Sequence, residues 1–150
     1  MIGSRRFRGF LLLAALVAPP AMGLEILSYR IHAPAEQVLE TLKNIVVEQG
    51  YQVAKIQRVD KAMKKVKLTT AEYRLLHFGR SSENRELLER CPELLPWLPL
   101  RITLAAERQH TLFFSLNPKT LEDICPGTAV FESWRGDIVE FAEILQQQLP

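Results

Sequence analysis

A change of hydrophobic period constrains this chain more than any other feature. In APAEQVLETLKNIVVEQG (33–50), Val38, Leu39, Leu42, Ile45 and Val46 recur at helical spacing. Pro34 suits a first helical turn, where its missing N–H costs nothing, and Gly50 suits a C-terminal stop. On either side the period falls to two. EILSYRI (25–31) sets Leu27, Tyr29 and Ile31 against Ile26, Ser28 and Arg30, and YQVAKIQRV (51–59) reads as a second strand. A helix with one apolar stripe between strands with one apolar face each has to be buried against a sheet.

The rest of the chain continues the pattern. AEYRLLHFG (71–79) reads as a third strand, with Tyr73, Leu75 and His77 on one face and Leu76 and Phe78 on the other. SSENRELLERC (81–91) reads as a short helix, started by a capping Ser81 or Ser82 and by Glu83 in the first turn. LRITLAA (100–106) sends Leu100, Ile102 and Leu104 inward and Arg101 and Thr103 outward. TLFFSLNP (111–118) is expected to answer with Leu112, Phe114 and Leu116 inward, the polar ERQH (107–110) making an antiparallel hairpin. A last helix runs from about Phe131, with Trp134, Ile138, Phe141 and Leu145 along one stripe.

The order β-α-β-β-α-β-β-α predicts an α+β fold, a mainly antiparallel sheet with helices on one face. In RCPELLPWLPL (90–100), Pro92 is expected to end the short helix at Cys91 and Pro96 to keep the connection extended. Pro99 enters the fourth strand near its first residue, and Leu94, Leu95, Trp97 and Leu98 fold over the core.

Taken together, YRIHAPAEQVLETLKNIVVEQGYQVAKIQRVD (29–60), YRLLHFG (73–79), LLERCPELLPWLPLRITL (87–104) and LNP (116–118) resemble the domain of unknown function 302 family. Gly50, Tyr51 and Val53, then His77 to Gly79, then Pro92 to Leu100 carry the resemblance by their order and spacing. It implies a small α+β domain, a homodimer, and no agreed biochemical activity, so no catalytic residue is carried over.

The first 23 residues read as a secretory signal peptide. Arg5, Arg6 and Arg8 form a basic n-region, Phe10 to Ala18 a short apolar core, and AMG (21–23) a small-residue cleavage site before Leu24. Nine apolar residues fall short of the roughly 20 that a membrane span needs. Arg8 and Gly9 stand where a twin-arginine signal carries apolar residues, and no cysteine follows the cleavage point for a lipid anchor. The expectation is a periplasmic or secreted single domain, 24–150, with no membrane span in the mature chain.

Removing the leader also changes the charge. The whole chain has 19 basic against 17 acidic residues, and the leader takes three arginines with it. The mature chain is close to neutral and lacks the electrostatic footprint of a nucleic-acid binder. The one basic cluster, Lys61, Lys64, Lys65 and Lys67, reads as a solvated turn or short helix face.

Few residues suggest chemistry. Cys91 and Cys125 are the only cysteines, so in an exported chain a structural disulfide is the first expectation. Free buried thiols and a redox or ligand role remain open. Each cysteine precedes a proline, as in some thiolate haem ligands, but a disulfide would abolish that role, and there is no C-x-x-C-H. His32 and His110 read as surface residues. His77, mid-strand among apolar neighbours, reads either as a satisfied, partly buried imidazole or as a haem ligand paired with its copy across a dimer. No His/Cys spacing supplies the three or four ligands of zinc. Nucleophile elbow, phosphate loop and zincin motifs are absent from the sequence. The reading is a non-catalytic ligand-binding or interaction module without a cofactor. The alternative is a haem-binding or thiol redox protein using His77 or Cys91/Cys125, and an enzyme is disfavoured.

Overall fold

The computed structural model describes residues 23–149, so the expected leader lies outside the described residues except for Gly23. Five strands form one antiparallel sheet in the order β1-β5-β4-β3-β2. They are β1 (Ile26–Ile31), β2 (Gln52–Arg58), β3 (Tyr73–Gly79), β4 (Leu100–Glu107) and β5 (His110–Leu116). The helices are α1 (Ala35–Glu48), α2 (Val59–Lys65), α3 (Ser81–Arg90) and α4 (Val130–Gln148). The α+β architecture is the one expected, with a fourth helix, α2, in the β2–β3 connection.

The core forms where α1 and α4 lie on one sheet face. From α1 come Val38, Leu39, Leu42, Ile45 and Val46, and from α4 Phe131, Trp134, Ile138, Phe141 and Leu145, all buried. They meet Leu27 and Ile31 of β1, Leu76 and Phe78 of β3, Leu100, Ile102 and Leu104 of β4, and Phe113 of β5. After α1, Gly50 takes φ +79°, a left-handed conformation that side chains rarely adopt, and Tyr51 follows it into the core.

Tyr51 then organises the joint between three helices. Its hydroxyl donates to Asp137 Oδ2 at 2.5 Å, and the Arg80 guanidinium lies 3.8 Å above its ring. Burial first, and then the bond to Asp137, push the Tyr51 hydroxyl up, so it stays protonated and donating. Glu83, in the first turn of α3, accepts from Trp134 Nε1 at 2.8 Å. The expected serine cap of α3 is not formed: Arg80 is the N-cap, and Ser81 Oγ donates to Gln52 Oε1 instead. At this corner Gly79 lets the Asn84 side chain approach closely: a Cβ there would meet Asn84 Nδ2 at 2.6 Å and that side chain would have to shift.

α2 has an inward anchor. Arg74, on the core face of β3 and fully buried, donates to Asp60 Oδ1 of α2 at 2.5 Å and also pairs with Glu72. Lys61, Lys64 and Lys65 face solvent, as a solvated helix face requires.

Two further expectations need correction. Residues Pro92–Trp97 form a 3-10 helix with Pro96 inside it, not an extended connection. Leu94 is buried, Leu95 is exposed, and Trp97 is half-buried. Proline at the start of such a turn is favourable because the first N–H groups have no partner there.

The larger correction is in β5, whose inward residues are Thr111, Phe113 and Ser115, while Leu112, Phe114 and Leu116 point to the other face. Register decides this. β4 and β5 join through a two-residue loop, Glu107 pairing with His110, so Leu104 pairs with Phe113 and both share a face. The inward hydroxyls find acceptors: Thr111 Oγ1 donates to Ala33 O at 2.7 Å, and Ser115 Oγ to Arg101 O at 3.0 Å.

Candidate functional site

The reversed β5 leaves an apolar surface on the sheet face away from the helices. In register across the sheet, one row runs Gln57, Leu75, Thr103, Phe114, Ser28. The next on one side holds Tyr73, Ala105, Leu112 and Arg30; on the other lie Lys55, His77, Arg101, Leu116 and Ile26. Thus one end of an aromatic and aliphatic strip is bordered by a row of nitrogen bases. No helix covers it.

Two contiguous depressions mark the strip. One, of about 330 Å³, is lined by Leu75, Trp97, Arg101, Phe114 and Leu116, with Leu24 and Ile26 at its rim. The other, of about 340 Å³, shares Tyr73, Thr103 and Phe114 with the first and adds Ala71 and Ala105. Leu24 and Ile26 are more than half exposed, so the apolar surface extends onto the edge strand. A third hollow at the β4–β5 turn is lined by Arg30, Glu107, Arg108, Gln109 and His110. Two of its charges pair, Arg30 Nη2 lying 2.8 Å from Glu107 Oε2.

A bulge in β2 sets the basic row. Val53 pairs with Phe78 and Lys55 with His77, so Ala54 is an extra residue in the ladder. Val53 and Ile56 thereby both face the core, and Lys55 is turned to the open face beside His77. Among the described residues neither Lys55 nor Arg101 has a carboxylate within salt-bridge distance. His77 Nε2 is covered from solvent and has no hydrogen-bond partner. Desolvation, then the charges of Arg101 and Lys55, hold the His77 imidazole below the ordinary histidine value.

That shift has a measurable sign. In an NMR pH titration the His77 resonance is expected to show its midpoint below the usual histidine range. Arg101→Gln and Lys55→Gln are each expected to raise it, because each removes a positive charge that opposes protonation. An unshifted midpoint that neither variant moves would contradict the arrangement.

The cysteines lie elsewhere. Cys91 follows the end of α3 and Cys125 follows the 3-10 helix Pro118–Asp123, and their Sγ atoms are at disulfide-bonding distance, 2.05 Å. Cys125 belongs to the buried core, whereas His77 points from the opposite face of β3, so the two sequence candidates do not share a site. His32 and His110 do come together, ring centroids 4.5 Å apart, where β1 and β5 meet. Among the described residues no group of three or more His, Cys, Asp or Glu side chains is placed to hold a metal. Lys55, Arg101, Trp97 and Phe114 were not among the residues that sequence reading singled out for a site. The outward set of β5 was the available signal, given the parity of its hairpin.

A five-stranded antiparallel sheet with one face packed under helices and the other open defines the class: a small α+β domain with an apolar surface on its open sheet face. The chain belongs to the family described as Domain of unknown function DUF302, which it matches over residues 27–129. The fold is similar to the crystal structure of an uncharacterised conserved DUF302 protein from Bacillus stearothermophilus. The two share a TM-score of 0.66 at 13% identity, covering 83% of this chain and 98% of that one. Among curated proteins none matches. No described helix is long and apolar enough to cross a membrane.

Proposed function

We propose that this chain is an exported, non-catalytic binding module whose open sheet face holds a small apolar ligand. The observation that carries the reading is the strip of Tyr73, Leu75, Trp97, Leu112, Phe114 and Leu116 on the face that no described α-helix covers. Contiguous apolar surface of this kind is the usual mark of a binding site. Export rests on the leader's basic n-region and short apolar core, and the mature mass of the secreted protein checks cleavage near Gly23.

A neutral fluorescent probe, N-phenylnaphthylamine, tests the ligand reading. Binding is expected, and Phe114→Ser is expected to weaken it about tenfold by removing aromatic contact area from the strip. Undiminished binding by the variant would end the reading. The homodimer implied by the family is the competing occupant of this face, since two such faces stack as a sandwich core does. Sedimentation at rising concentration checks it, a dimer abolished by Phe114→Ser placing the strip in an interface between copies. Haem is the competing ligand. A Soret band on adding haem, lost in His77→Ala, would replace the apolar-ligand reading with the haem-binding one.

A further inference from the structure

We infer that the ligand of the open face is an amphipathic carboxylate, a free acid of medium chain length whose head group is held by Arg101 and whose tail lies along the strip. The inference rests on the binding reading above and adds the chemistry of one end. Arg101 lines the 330 Å³ depression and is exposed, with no carboxylate in salt-bridge range among the described residues. Beside it in the same row stand His77 and then Lys55, so the field at this end is positive and unneutralised.

A guanidinium offers a planar pair of donors that matches a carboxylate, and such charge-assisted bonds are the stronger kind. Lys55, two strands over and so about 10 Å from Arg101 along the sheet, adds attraction without contact. From Arg101 the strip continues through Leu75, Phe114 and Tyr73 with no second basic residue among the lining side chains of either depression. Glu72 lines the far depression but is paired with Arg74, so one free charged end and one long apolar run fit a molecule built the same way. A neutral hydrocarbon would leave Arg101 unused, and a small inorganic anion would leave the strip unused.

The test measures displacement of N-phenylnaphthylamine by decanoate and by decanol, in the unmodified protein and in Arg101→Gln. Decanoate is expected to lose about tenfold in affinity in the variant while decanol is unchanged. Because Arg101 is exposed, the variant is expected to fold as the parent does, which circular dichroism checks. Equal binding of both compounds by both proteins would overturn the carboxylate assignment and leave the apolar-ligand reading standing. Equal loss of both in the variant would overturn it too, since Arg101 would then act through packing. No displacement by either compound would overturn both readings. Co-sedimentation with phosphatidylglycerol vesicles and no displacement by free decanoate would assign Arg101 to a lipid surface and overturn the free-acid inference.

Discussion

Phe113→Ala is expected to cost about 4 kcal/mol of folding stability, and Phe114→Ala, one residue on, about 1 kcal/mol or less. Phe113 is fully buried on the helix side of the sheet, where its ring meets Tyr29 edge to face at 5.8 Å and sits opposite Leu104. Its removal leaves a cavity among side chains held by two strands and the helices above them. The side chain of Phe114 is only partly buried, on the open strip, so its truncation removes contact from the groove and leaves the core intact. Urea unfolding of the two variants beside the parent gives both numbers. Equal losses would mean that the faces of β5 are assigned wrongly, and the candidate site would go with them. The contrast therefore tests the fold and the site in one experiment, and it complements the probe measurement, where Phe114 is the sensitive position.

The second large effect concerns Cys91 and Cys125. If they are bonded in the mature protein, the double variant Cys91→Ser, Cys125→Ser is expected to lose about 4 kcal/mol, the loop-closure entropy of a 34-residue separation. The position suits a cross-link. Cys91 is the last residue of the α3 region and Cys125 stands just ahead of α4, so the bond joins two helices that the chain separates by a whole β-hairpin. Arg90 Nη2 donates to Pro126 O at 2.7 Å beside it, a second tie between the same segments. Chemical denaturation of protein isolated from an oxidising compartment, with and without reductant, checks the figure. Two titratable thiols in that preparation under denaturant would remove the disulfide from the account. An unchanged midpoint on reduction would show that packing around Leu121 and Phe131 holds the segment without it.

Much of this architecture was legible because the periods of the sequence are clean. The α1 stripe from Val38 to Val46 and the α4 stripe from Phe131 to Leu145 both became core. The alternations in β1, β3 and β4 also placed each residue on the face expected; in β1 and β4 one set is clearly more apolar than the other. β5 failed that test for a physical reason. Its sets, Thr111/Phe113/Ser115 and Leu112/Phe114/Leu116, were ranked by hydrophobicity, and the more apolar set was sent inward. A strand paired on both sides takes its face from its partners. The even loop between Glu107 and His110 couples Phe113 to Leu104 whatever the composition. The hidden Thr111 and Ser115 hydroxyls are tolerated because each donates to a backbone carbonyl.

The sequence by itself determined the fold class, the two main helices, the alternation of β1, β3 and β4, and the family. These follow from local periodicity and from motifs whose meaning does not depend on what lies across the sheet. The tertiary structure decided the site. It needed the β4–β5 register to turn Phe114 outward and a bulge at Ala54 to bring Lys55 beside His77. It also needed the 3-10 turn to set Trp97 in the groove with Arg101. Each of those is a relation between segments, set by pairing and packing, and a single strand's pattern carries no record of it.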